Sequence, residues 1–267
     1  MDEKYQKVID YVTGAGKRLK NQIGQIVDIG VDKRYLTIVD VDKRYLTEED
    51  LRIERDLKKI IEDFGSEHQV FAEEENDSWP IVKNVWAIDP ISGTSTFLAG
   101  LPHYAIVVSH LINNKVNFAV VFDPAMDELY TAELGKGSFK NGKKIMVSEK
   151  SGDPPRIMLN LFSTDNNLKK EIFFAMIKSN NNIYKNRNSY GLNYCHVATG
   201  QYDGIVILTK DIFPELAGSL IIREAGGVFK NIAGEDVFSS DDKLFIAGNP
   251  AEYERLKIIM DDVLLSS

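Results

Sequence analysis

"WAIDPISGTSTFLAG", residues 86–100, joins an apolar strand, an acidic turn and a Gly/Ser/Thr-rich bend. Trp86, Ala87 and Ile88 are strand residues, and Asp89 closes the strand. Gly93 and Thr94 follow where a helix can begin. A carboxylate at a strand end beside the free N–H groups of a helix start suits a metal ion and a phosphate. Taken alone, Asp89-Pro90 reads more simply as a turn opener. Ser92 stands between the two features, where a second carboxylate would strengthen a cation site.

Two further acidic positions bear on this stretch. Glu73, in "FAEEEN" (71–76), also closes an apolar strand; by itself it reads as a solvated acidic edge. Asp50 ends "TEED" (47–50) ahead of an apolar helix, the pattern of a capping box with Thr47 as N-cap. Thr94 alone is a polar loop residue. Taken together, two carboxylates at neighbouring strand ends, a Gly-Thr helix start and an acidic helix N-terminus can converge on a cation and a phosphate.

The rest of the chain supplies a frame for these ends. Apolar residues at helical spacing predict a helix over 4–27 and a second from Leu51 to Phe64, stopped by Gly65. Between them "VDKRYLTIVD" (31–40) is followed at once, almost unchanged, by "VDKRYLTEED" (41–50). A ten-residue unit present twice is too short for a solenoid and reads as a tandem duplication absorbed by a surface loop or hairpin. Strands are predicted at 69–72, 84–88, 104–111, 115–123 and 127–132, with a hairpin turn at Asn141-Gly142. From 156 onward strands and helices alternate: strands at 156–162, near 183, at 204–209 and at 243–249, helices at 165–178, 190–199, 214–227 and 250–264. The pattern predicts an α/β layered fold. No Ser/Pro-rich linker interrupts it, so 1–267 reads as a single domain with lobes of about 1–150 and 151–267.

Composition narrows the function. Hydrophobic residues make up 43%, enough for a large core, yet no run of 18 apolar residues predicts a membrane span. The start, "MDEKYQK", lacks the apolar stretch of a signal peptide. Cys195 is the one cysteine, which excludes an internal disulfide framework and a CxxC zinc pair and suggests a reducing, cytoplasmic setting. The formal charge of −8, from 32 basic and 40 acidic residues, makes nucleic acid an unlikely partner. For a phosphorylated small molecule, a metal ion would have to supply much of the positive charge.

Residues 86–100 resemble the inositol monophosphatase signature W-x-I-D-P-I-D-G-T-x-N-F-x-x-G. "FAEEEN" is similar to that family's G-E-E strand end, and "YLTEEDLRIE" to its V-T-x-x-D-x-x-x-E segment. "CHVATGQYDG" resembles C-x-V-A-x-G-x-x-D-G, and "LAGSLIIREAGGVF" resembles A-A-G-x-L-x-x-E-A-G-G. The order and spacing match from about residue 5 to 262. The resemblance implies an α-β-α-β-α sandwich, usually dimeric, that hydrolyses small phosphomonoesters with Mg2+. It implies that Glu73, Asp89 and the Ile91 carbonyl hold a first ion, and that Thr94 and Glu73 orient the nucleophilic water. Asp50 falls in an outer site supported by Thr47. Gly93 and Thr94 fall against the phosphate, and Ser92 and Tyr190 on the substrate side.

Two departures stand out against that pattern. The family's second ion takes carboxylates at the positions of Asp89, Ser92 and Pro214, and only the first is acidic here. Glu215 comes one residue late, a rotation of about 100° on a helix, and Asp211 lies upstream. A serine released from ligation is expected to cap the short helix beginning near Gly93. The family's G-S-A-A reads "NSYG" (188–191), which puts the large Tyr190 where a sugar ring would lie. The resemblance therefore supports a Mg2+-dependent phosphatase of weak turnover acting on a small phosphorylated metabolite. The alternative is a catalytically impaired relative with a regulatory or protein-binding role.

Overall fold

Helix α1 (Glu3–Gln22) begins where the Asp2 carboxylate accepts the Lys4 N–H, and it buries Tyr5, Val8, Val12, Ala15 and Leu19 along one stripe. It ends five residues earlier than its apolar spacing suggests, because Ile23 leaves the helical region with ψ 126°. Helix α2 (Glu48–Glu62) starts in the expected capping box and buries Ile53, Leu57 and Ile61. The computed structural model describes residues 2–26, 45–73, 83–162, 165–185, 189–209, 213–236 and 242–266. The first copy of the decapeptide repeat, and the second as far as 44, lie outside the described residues.

The first sheet follows chain order. Its strands are β1 (His68–Ala72), β2 (Asn84–Ser92), β3 (Ala105–Ile112), β4 (Lys115–Asp123), β5 (Glu128–Glu133), β6 (Gly137–Lys140) and β7 (Lys143–Lys144). Only β1 and β2 run parallel. The short helix α3 (Thr94–Leu98) joins β2 to β3. The expected hairpin turn is present, with Asn141 and Gly142 both at positive φ (48° and 75°). One expectation fails here: β2 does not stop at Ile88. β3 continues to pair with it as far as Ser92, across a register irregularity, so Asp89-Pro90 lies within a strand and opens no turn.

The second sheet is built from β8 (Arg156–Leu161), β9 (Asn182–Lys185), β10 (Gly204–Leu208), β11 (Val228–Asn231) and β12 (Leu244–Gly248), in the order β11-β12-β10-β8-β9. The helices between are α4 (Asn166–Lys178), α5 (Tyr190–Ala198), α6 (Phe213–Glu224) and α7 (Pro250–Ser266). β11 is absent from the sequence reading, since four residues with only two buried give little period-two signal.

Alternating side chains build the layers. Trp86 and Ile88 face α1 and α2, whereas Val85 and Ala87 face α5 and α6. In the second sheet Ile205 and Ile207 join α5 and α6, whereas Val206 and Leu208 meet α4 and α7. The order is therefore α-β-α-β-α. Among the described residues no helix is long and apolar enough to cross a membrane.

One buried group gives the fold a pH dependence. His110, on β3, stacks on Trp86 with ring centroids 4.2 Å apart. Its Nδ1 lies 3.1 Å from the Tyr5 hydroxyl, and its Nε2 is buried with no hydrogen bond. Burial, reinforced by the charges of Lys4 and His68, pushes its pKa down to about 3. The unfolded chain therefore binds this proton first as pH falls. The stability is fully present above about pH 6.5 and is lost progressively toward pH 3, by at most about 1.4 kcal/mol per pH unit. His110→Phe keeps the stack and removes the titration. Between pH 6.5 and 4.5 it should lose about 2 kcal/mol less than the parent in denaturant melts. Parallel pH profiles for the two proteins would refute this assignment.

Candidate active site at the ends of the first two strands

Parallel pairing brings two acidic residues together. Ala72 is in register with Ile88, so Glu73, just past the end of β1, and Asp89, within β2, sit side by side. The Glu73 N–H still donates to the Ile88 carbonyl at 3.1 Å, which fixes its backbone. Asp89 is buried and Glu73 half-buried. Helix α2 packs on both strands and delivers Asp50 to the same end.

Asp50 serves the cap and the site at once. Its Oδ2 accepts the Thr47 N–H at 2.8 Å and the Thr47 hydroxyl at 2.6 Å, and its own N–H donates back to Thr47 Oγ1 at 3.3 Å. Burial raises its pKa to about 7; the Thr47 donors oppose this, and the nearby Glu73 charge adds to it. Glu73 and Asp50 therefore crowd like charges, an arrangement that a cation between strand ends and helix start would relieve.

The bend after β2 sets the remaining groups. Gly93 adopts φ 92°, ψ 40°, a left-handed conformation that suits glycine, and it is the N-cap of α3. Ser92 therefore does not cap this helix. It is held in the β2–β3 ladder one residue too early, and its buried hydroxyl makes no hydrogen bond. Thr94 Oγ1 donates to the Ile91 carbonyl at 2.8 Å. With its proton spent there, the hydroxyl can only accept from a further partner, which is what orienting a water requires. The Ile91 oxygen keeps a second lone pair.

The donor set of Glu73, Asp89 and the Ile91 carbonyl is all hard oxygen and fits one Mg2+ ion that also takes phosphate oxygens and water. Among the described residues it does not extend to a second ion. Ser92 is neutral, and Pro214 is a buried apolar side chain in the first turn of α6. Glu215 is fully buried, and its Oε1 accepts the Tyr194 hydroxyl at 2.9 Å. Asp211 lies outside the described residues. Among the described residues no group of three or more His, Cys, Asp and Glu side chains is arranged to hold a metal ion.

Two acidic residues of the sequence motifs have structural partners instead. The Glu224 carboxylate accepts the N–H groups of Gly135 and Gly137 at 2.8 and 2.7 Å, tying α6 to the turn before β6. Asp203 accepts from Ser148, Gly152 and Arg156. Tyr190 begins α5, half-buried, and faces the Phe162 ring at 5.9 Å. The next residue, Gly191, abuts β3: a Cβ there would lie 2.6 Å from Val107 Cγ2. Val107 is the cross-strand partner of Asp89.

Comparison with known proteins gives the family and the fold. The sequence profile of the inositol monophosphatase family matches residues 5–262. A "Nus factor SuhB" from Xylella fastidiosa is 32% identical over 207 residues, which is 74% of this chain and 73% of that protein. A protein of the same name from Pasteurella multocida is 32% identical over 154 residues, 56% of this chain. That match spans 57% of the Pasteurella protein, little more than half its length. Among solved structures, an IMPase from Thermotoga maritima superposes with a TM-score of 0.81 at 26% identity, covering 99% of both chains. The extragenic suppressor protein suhB from Bartonella henselae gives a TM-score of 0.83 at 21% identity, covering 97% of this chain and 98% of that one.

Proposed function

Because this chain belongs to the inositol monophosphatase family, we propose that it hydrolyses a small phosphomonoester slowly, with Mg2+ as cofactor and inositol and sugar phosphates as the first substrates to test. The observation that carries the reading is the side-by-side placing of Glu73, at the end of β1, and Asp89, within the parallel β2, together with a Thr94 hydroxyl whose proton is committed to Ile91. Glu73, Asp89 and the Ile91 carbonyl would hold the ion, which supplies Lewis acidity toward the phosphate. Thr94 Oγ1 accepts a hydrogen bond from the attacking water and turns its lone pair toward phosphorus, and Glu73, holding the same water from the other side, takes the proton that the water gives up. A water oxygen–phosphorus bond forms, the ester bond breaks, and the leaving oxygen takes up, through solvent, the proton that the water gave up. The N–H groups of Gly93 and Thr94 face the phosphate. Asp50, seated by Thr47, shapes the outer edge.

The leaving oxygen has the weaker support. Ser92 and Pro214 place no charge where a second ion would be held, and loss of one such stabilising interaction costs a factor of about 10² to 10³. Ser92→Asp combined with Pro214→Asp is expected to raise turnover or Mg2+ affinity at least about tenfold, read as phosphate release against Mg2+ concentration. Unchanged Mg2+ dependence in a folded double variant would argue against lost ligands as the cause. The primary test is phosphate release from a panel of small phosphomonoesters, with and without Mg2+.

A second reading is favoured by the same two substitutions together with the relatives named Nus factor SuhB: a regulatory protein that keeps the fold and works through a protein partner. Absence of Mg2+-dependent turnover on every ester would favour it. A homodimer is proposed from the family and is read by sedimentation. The charge of −8 argues against RNA binding, and a salt-dependent anisotropy shift with RNA would reverse that.

A further inference from the structure

The outer layer, made by α4 and α7, leaves apolar side chains to solvent. α4 turns Ile172 and Met176 onto the second sheet, and α7 turns Leu256 and Met260 onto it. Away from the sheet, Phe174 is 59% exposed, Ile177 50% and Ile258 64%. A groove of about 570 Å3 runs between the two helices, lined on α4 by Phe174 and Ala175 and on α7 by Ile259 and Val263. Single exposed apolar residues are ordinary, but a strip shared by neighbouring helices marks a contact surface.

The charges along the groove are ordered. Arg255, early in α7, donates to Asn181 and to the Ser179 carbonyl just past α4, so the two helices run antiparallel along the groove. Lys178 and Ser179 therefore mark one end of it, and Glu171 with Asp262 mark the other. Glu171 and Lys178 are two helical turns apart on one face, about 10 Å, with Phe174 between them. One end of the groove is thus basic and the other acidic. That order is self-complementary. A two-fold axis through the groove at Phe174 lays the Glu171 end of each copy on the Lys178 end of the other, with the apolar strips stacked between. A polyanionic surface, lipid or nucleic acid, would be repelled at the acidic end.

We propose that a second copy of this chain docks on the α4–α7 face, groove against groove, with Phe174 at the centre and Glu171 paired with Lys178 across the two-fold axis. This gives the homodimer a contact face and does not depend on turnover. α4 is about 20 Å long and the helix pair about 20 Å wide, so each copy offers a face of roughly 400 Å2. That is small for a protein–protein contact, and the pair should dissociate in the micromolar range.

The test is sedimentation velocity of the full chain over about 1 to 300 µM, at low and high salt. Dimer should replace monomer across this range, and salt should weaken it. Phe174→Glu puts a charge at the centre of the contact and should weaken self-association at least about thirtyfold. Glu171→Lys and Lys178→Glu each set like charges against one another at both ends, and each should weaken it by about tenfold. An equimolar mixture of those two variants should associate about as tightly as the parent, because every Lys then faces a Glu in the mixed pair. A merely structural role for either residue gives no such rescue. All three side chains are exposed, so melting temperatures should stay within about a degree or two of the parent's. A protein that stays monomeric throughout overturns this face and the family-based homodimer together, and leaves the strip to a partner other than this chain. A dimer that no variant weakens, or charge variants whose mixture gains nothing, overturns the face and leaves dimerisation through another surface.

Discussion

Replacing Glu73 with glutamine is expected to abolish Mg2+-dependent phosphate release, by about 10³-fold or more. One oxygen of Glu73 is assigned to the ion and the other to the water. An amide loses the charge that the first role needs and presents a donor where the second needs an acceptor. The fold should not change. Glu73 follows β1, its structural bond to Ile88 is made by the backbone N–H, and its side chain is half-buried. Crowding with Asp50 should even fall, because a neutral amide no longer raises the Asp50 pKa. A melting temperature within a degree or two of the parent, with phosphate release at background on every ester, is the expected pair of results. The variant is also the control for contaminating phosphatase. Full activity in Glu73→Gln would remove Glu73 from the site and with it the one-ion reading.

The second large effect concerns stability. Asp203→Asn is expected to destabilise the protein by about 3 kcal/mol. Asp203 is fully buried. Its Oδ1 accepts Ser148 Oγ and Arg156 Nη2, both at 2.9 Å. Its Oδ2 accepts Gly152 N at 3.1 Å, Arg156 N at 2.9 Å and Arg156 Nε at 3.2 Å. Burial alone would raise this carboxyl's pKa, but the Arg156 guanidinium and backbone N–H, the Gly152 N–H and the Ser148 hydroxyl outweigh it and hold the pKa below the usual range. The depressed folded value means that the contribution is present above the unfolded carboxylate pKa and is lost as pH falls through the folded one. An amide of the same shape turns two of its sites into donors facing donors. The change should lower the melting temperature by about 6–12 °C for a chain of this size. Asp203 has no place among the groups that touch the phosphate. Mg2+ dependence measured below the melting transition should therefore be that of the parent. A loss of turnover without a loss of stability would instead make this motif aspartate part of the site.

The local chemistry of the site is legible in the sequence. Thr47 and Asp50 read as a capping box because Thr-x-x-Asp before an apolar stripe satisfies two orphan N–H groups reciprocally, and that box forms. Apolar runs ahead of Asp89 and Glu73 mark strands, and alternation after 156 marks an α/β layer; the full α-β-α-β-α order came from the resemblance, and the packing of the two sheets bears it out. The departures at positions 92 and 214 are likewise plain in the letters.

Other features were decided only by packing at a distance. β2 runs past Asp89 because β3, residues later in the chain, supplies hydrogen-bond partners as far as Ser92. That pairing removes Ser92 from the cap position, which Gly93 fills. Glu215 is close in sequence to a lost ligand, yet Tyr194 on a different helix holds it. Glu171 and Lys178 come from α4, Ile259 and Asp262 from α7, and no spacing rule joins the two pairs along one groove. Sequence periodicity reports which face of one element is apolar. It carries no record of which faces meet, because that is fixed by burying all the faces at once.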